Sequence, residues 1–219
     1  EAGQESRLAK GLDELGVTDN TIVVFSTDNG AEKFTWPDGG TSPFHGEKGG
    51  TWEGGFRVPS VVRWQGVVKP GTVINGIFSL EDWAVTLLAA AGESDVKEKL
   101  KKGHVANGRT FKVHLDGYDQ RELLAGKEPG QRQEIFYFDD SGNLNAVRVR
   151  DWKAIFAEPS DWLYGGPPLP LAFPRIANLR MDPFEAHVNF AASPMAMRWV
   201  ADKMWAFVPM QALVGYFLQ

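Results

Sequence analysis

Between Thr21 and Thr27 the chain reads TIVVFST, and this run limits the fold more than any other stretch. β-Branched and aromatic side chains without polar alternation predict a short strand buried on both faces, the kind found in parallel sheets. Upstream, Leu8, Leu12 and Leu15 recur at helical spacing, and Gly16 stands where a helix C-cap is wanted. A Thr18-Asp19-Asn20 turn separates the two. Helix, tight turn and buried strand form one unit of a layered α/β protein.

The chain then changes character. Residues 28–59 are rich in glycine, carry prolines and tryptophans, and show no sustained period. A stretch of that length without regular structure is usually functional. VPSVVRW predicts a second strand. SLEDWAVTLLAAAG predicts a helix with Ser79 as its N-cap, Glu81 and Asp82 in its first turn and Gly92 past its end. Residues 93–130 read as a polar connector with a short helix from Gln120 to Ala125. EIFYFDD, NAVRVRD, WKAIFAE and RIANLRMD then read as strands of a small antiparallel sheet. Ser193-Pro194 opens a final helix, with a kink expected at Pro209. The expected organisation is residues 1–130 as part of an α/β core and residues 131–219 as a small antiparallel-sheet subdomain with a closing helical segment.

Composition excludes some functions. With 23 basic against 28 acidic residues the formal net charge is −5, which argues against nucleic acid or an anionic membrane as partner. The absence of cysteine removes disulfides and thiolate metal sites from these residues. The most apolar segment, Met204 to Leu218, is shorter than the ~20 residues a bilayer span needs. No dinucleotide fingerprint, phosphate-binding loop, zinc-protease helix or nucleophile elbow is present.

Asp28-Asn29-Gly30 follows the buried strand at its C-terminal end, the edge where open α/β sheets bind ligands. A carboxylate beside an amide carbonyl is an all-oxygen pair suited to calcium or magnesium, and the same tripeptide is also a strong turn former. Lys48 lies in HGEKGGTWEGGFRVP, where an ammonium among glycines is a compact charge for an anionic oxygen or, more plainly, a solvated surface lysine. His45 stands three residues earlier and either donates to the same anion or is structural. Glu53 and Arg57, four apart, read as a salt bridge bracing the loop, with substrate contact as the other reading. His104, His114 and His187 have no metal-ligand spacing.

Together, TDNTIVVFSTDNGAE, GEKGGTWEGGFRVPSVVRW, SLEDWAVTLLAAAG, DGYDQRELLAGKEP and NLRMDPFE resemble the arylsulfatase branch of the alkaline-phosphatase-like superfamily, in that family's order. The resemblance implies an alkaline-phosphatase-like layered α/β sheet, represented by its C-terminal part, with a small appended antiparallel sheet and a C-terminal helix. It implies sulfuric ester hydrolysis, with Asp28 and Asn29 as calcium ligands and Lys48 as the lysine that binds the sulfate. The family's nucleophile is a formylglycine hydrate made from the Cys or Ser of a C/S-x-P-x-R motif, and no residue here begins that pattern. The chain is therefore expected to be a fragment, inactive in isolation, that relies on the remainder of a sulfatase chain. The resemblance also implies a small-molecule or glycan sulfate ester as substrate and a periplasmic or secreted location. His45 departs from the arginine many relatives carry. Two alternatives remain: a phosphoester or phosphonate hydrolase of the same superfamily, against which Asn29 argues, and a non-catalytic protein that binds sulfated ligands.

Overall fold

The structure is a computed structural model that describes residues 2–33, 40–127, 129–139, 141–158, 169–186 and 193–218. The chain divides into two compact units, one made of residues 1–26 and 60–133, the other of residues 27–59 and 134–219. The glycine-rich stretch thus belongs to the same unit as the antiparallel sheet.

In the first unit, helix α1 (Ala2–Glu14) leads through a short turn to strand β1 (Ile22–Ser26). Gly16 closes the helix in a left-handed conformation (φ 66°). Its N–H donates to Asp13 O at 3.1 Å, and the Val17 N–H donates to Leu12 O at 3.2 Å, the paired bonds of a Schellman cap. β1 pairs antiparallel with β2 (Ser60–Trp64), register Val24 opposite Val62. The expectation of a doubly buried strand in a parallel sheet is corrected here. Among the described residues β1 and β2 form a two-stranded sheet, so Val24, Phe25 and Val61 stay exposed.

Helix α3 (Asp82–Ala90) follows, after the one-turn helix α2 (Glu53–Phe56) that belongs to the other unit. Asp82, Val85, Thr86 and Ala89 are its buried residues, spaced to form one helical face. Ser79 does not cap through its side chain. The Asp82 carboxylate reaches back instead and accepts from the Ser79 N–H at 3.0 Å. The polar connector holds more structure than its composition suggests. It contains α4 (Val96–Lys102), a hairpin of β3 (His104–Ala106) and β4 (Arg109–Phe111), and α5 (Arg121–Leu124).

In the second unit, β5 (Glu134–Phe138), β6 (Leu144–Val149), β7 (Trp152–Glu158) and β8 (Leu169–Asn178) form an antiparallel meander in chain order. All four expected strands are found, the last beginning earlier than RIAN. Alternation divides their side chains between two faces. Tyr137, Ala146 and Ile155 cluster with Trp52, whereas Val147 and Ala154 cluster with Ala206 and Met210. The second cluster is covered by the C-terminal helix α7 (Phe207–Phe217), and α6 (Pro194–Asp202) before it sets Trp199 against Trp152. Ser193 caps α6 as expected, its Oγ accepting from the Ala196 N–H at 3.1 Å. The kink expected at Pro209 is not there. The helical segment breaks at Lys203–Ala206, and Pro209 is the third residue of α7. An N–H at that position would have no partner inside the helix, so proline does no harm.

Candidate functional site

The strand β1 ends at Ser26, and Asp28, Asn29 and Gly30 form a bend beyond it. The Thr27 hydroxyl donates to Asn29 O at 2.9 Å. Asp28 is exposed and Asn29 half-buried. The chain then interlaces with the segment around Lys48. Gly30 N–H donates to Gly55 O at 2.9 Å, Lys48 N–H to Ala31 O at 3.1 Å, and Lys33 N–H to the Glu47 carboxylate at 2.7 Å. Residues 28–33 and 45–55, both singled out from sequence, are thus brought together.

Glycines make that interlacing possible. A Cβ on Gly30 would lie 1.7 Å from Gly54 O, and one on Gly54 would lie 2.3 Å from His45 O and 2.5 Å from Gly46 O. These neighbours are backbone, which cannot swing aside. The glycines at 54 and 55 therefore admit the loop's own backbone. Gly54→Ala is expected to cost ~1–3 kcal/mol by overpacking. Gly11→Ala has open space inside α1 and is expected to stabilise by ~0.5–1 kcal/mol. Chemical denaturation of both variants checks the opposite signs.

Lys48 sits at the second position of a turn closed by Gly50 N–H to Glu47 O at 3.0 Å, with Gly49 at φ 84° behind it. That is the pattern of a type II turn, in which the third position favours glycine. The Lys48 side chain is 39% exposed, and its ammonium lies 3.6 Å from the Glu32 carboxylate. His45 sets its ring edge-on against the buried Trp52, centroids 4.7 Å apart.

The Glu53–Arg57 bridge expected from spacing gives way to a different arrangement. Arg57 lies over the Phe44 ring at 4.6 Å. Glu53 is buried and turns to the sheet, where it meets Lys153 Nζ at 3.2 Å and Arg148 at 3.5 Å, and accepts from the Tyr137 hydroxyl at 2.8 Å. Burial pushes the Glu53 carboxyl up. Lys153 and Arg148, with hydrogen bonds from Tyr137 and Lys153, outweigh that and hold it below the ordinary carboxylate range. Burial and the adjacent Glu53 carboxylate push the Tyr137 hydroxyl well up. Lys153 also reaches Glu185, whose Oε1 is 2.9 Å away, close enough to pair as charges although off the hydrogen-bonding direction. Glu185 Oε2 in turn accepts from the Glu53 N–H at 2.7 Å. This cluster was not anticipated. Its one signal in the sequence is a lysine in WKAIFAE, a strand otherwise apolar along most of its length.

The donor set of Asp28 and Asn29, a carboxylate and an amide carbonyl, fits a hard cation such as calcium. Such a pair would be two of the ~6–8 oxygens calcium takes. Among the described residues no group of three or more His, Asp or Glu side chains is placed to hold a metal.

A sequence model of the sulfatase family matches residues 6–93. The chain is 34% identical over 154 residues to human arylsulfatase A, covering 68% of this chain and 27% of that protein. It is 31% identical over 164 residues to mouse steryl-sulfatase, covering 70% of this chain and 24% of the relative. Among solved structures, the PsFucS1 sulfatase from Pseudoalteromonas sp. superposes with a TM-score of 0.69 at 30% identity, covering 91% of this chain and 40% of that one. The chain belongs to the sulfatase family. Its fold is the mixed α/β type of the alkaline-phosphatase-like sulfatases, with a small antiparallel sheet and C-terminal helix. It spans about a quarter of the length of these two curated relatives.

Proposed function

We propose that the full-length protein hydrolyses sulfate esters and that these residues supply part of its sulfate and metal site. The observation that carries the reading is the interlacing of DNGAE with GEKGGTWEGG. It sets the Asp28 and Asn29 oxygens and the Lys48 ammonium on one loop assembly. The relatives support the choice of sulfate over the leaving group. Their names include a steryl-sulfatase, an arylsulfatase and an N-acetylgalactosamine-6-sulfatase, which have in common only the sulfate. A lysine that reads the sulfate serves all of these leaving groups.

In this reading Asp28 and Asn29 hold a calcium ion, which when bound polarises the sulfate oxygens. Lys48 meets the sulfate oxygens and neutralises their charge as the ester bond breaks. His45, its ring braced on Trp52, is a second donor to the same anion. The nucleophile, a formylglycine hydrate by family resemblance, comes from elsewhere in the protein, since no C/S-x-P-x-R motif occurs in these 219 residues. The remainder of the sulfatase chain is also the partner we assign to the exposed face of β1 and β2. No described helix is long and apolar enough to cross a membrane.

The test uses the full-length protein. It is expected to carry stoichiometric calcium, to lose aryl sulfate hydrolysis on chelation, and to lose both metal and activity in Asp28→Ala. The 219 residues alone are expected to show no turnover. Stoichiometric zinc, with activity indifferent to Asp28→Ala, would instead support the phosphoester reading.

A further inference from the structure

We propose that the buried ion cluster of Lys153, Glu53 and Glu185, with Tyr137 and Arg148, positions Lys48 for its anion. The inference rests on the sulfate-site reading above and adds the residues on which that site depends.

Lys153 has no exposed side-chain surface, and its neighbours on that face of the sheet are Ile155, Ala146 and Tyr137. Replacing such a buried ion cluster by apolar side chains is often neutral or stabilising, so stability alone does not call for charge here. What charge supplies is direction. The Lys153 ammonium donates to Thr51 O at 3.0 Å and to Glu53 Oε1 at 3.2 Å, and pairs as a charge with Glu185 Oε1 at 2.9 Å. Glu185 fixes the backbone as well, through its bond from the Glu53 N–H. Tyr137 from β5 donates to the same Glu53 oxygen as Lys153, and Arg148 from β6 meets the other. Residues 51 and 53 are thereby pinned to the sheet by main chain and side chain alike, with the Trp52 indole buried between them.

Lys48 lies three residues before this anchor, at the apex of its turn. Its own backbone is tied at Ala31 and its turn closes at Gly50. The entry of the turn is therefore held by residues 31–33 and its exit by the cluster. Lys153 makes no bond to Lys48. It is a positioning residue that acts through Thr51 and Glu53. A displacement of about 1 Å at a reacting centre can cost on the order of a hundredfold in rate, and a loosened exit is enough to produce one.

The test is a double-mutant cycle in the full-length protein, with kcat and KM measured for an aryl sulfate in wild type, Lys153→Met, Lys48→Ala and the double variant. Expected are a fall in kcat of tenfold or more in Lys153→Met with a smaller change in KM, and no further fall when Lys153→Met is added to Lys48→Ala. Tyr137→Phe removes one hydroxyl from the same cluster. It is carried through the same cycle, and it decides the matter should Lys153→Met not fold. A fall of equal size with and without Lys48, or a folded variant at the parental kcat, overturns the positioning role. A Lys48→Ala variant at the parental rate overturns the sulfate-site reading itself, a separate and separately visible failure.

Discussion

Lys48→Ala in the full-length protein is expected to lower kcat for an aryl sulfate about a hundredfold and leave the unfolding transition nearly unmoved. The two halves of that expectation have different origins. For stability, the ammonium's ion pair with Glu32 spans 3.6 Å and lies partly in solvent. An ion pair of that kind contributes roughly 0–1 kcal/mol. For rate, the proposed function has the ammonium meet an anion whose charge shifts as the ester bond breaks. Losing one such charged contact costs ~3 kcal/mol, roughly a hundredfold. A structural lysine would give the reverse pattern, with a lowered midpoint and proportional loss of folded enzyme. Denaturation and initial rates measured on the same preparation separate the two. A folded variant at the parental rate would return Lys48 to the solvated surface.

How far these features could be read from the sequence follows from how local their causes are. Two caps were legible because each is closed within a few residues: Gly16 ends α1 and Ser193 opens α6 as composition predicts, whereas Ser79 does not cap α3. Asn107-Gly108 was equally legible, both residues at positive φ between β3 and β4, but the polar composition around it hid the hairpin. Pro209 misled for the opposite reason. A proline inside an apolar run suggests a kink, and only the break at Lys203–Ala206 places it in a first turn where it is harmless.

The candidate site divides the same way. Asp28, Asn29 and Lys48 stand out in the sequence because glycine and turn residues concentrate around them. Glu53 was assigned the wrong partner, since a four-residue spacing to Arg57 is visible in sequence. Its partners Lys153 and Glu185 lie 100 and 132 residues away, and no local pattern announces them.

The second large effect is expected in the first unit, at Asp82. Its carboxylate is fully buried and accepts from the Tyr118 N–H at 2.8 Å, Gln120 Nε2 at 3.0 Å, the Ser79 N–H at 3.0 Å and the Arg132 guanidinium at 2.7 Å. One side chain thus starts α3 and fastens residues 116–132 to it, with Arg132 also lying over the Tyr118 ring. Asp82→Ala leaves three neutral donors and a buried guanidinium without this acceptor. Removing one partner of a buried ion pair costs ~3–5 kcal/mol, because the remaining charge stays desolvated. Glu81 softens the loss. It pairs with Arg132 from a half-exposed position, and its carboxyl is pushed up mainly by burial, against the pull of Arg132. Asp82→Asn keeps the shape and one acceptor oxygen while losing the charge, so it falls between wild type and alanine. Urea denaturation of the full-length protein is expected to rank them wild type, Asn, Ala. An alanine variant within ~0.5 kcal/mol of wild type, the range of an ordinary surface substitution, would mean that this carboxylate does not hold the unit together.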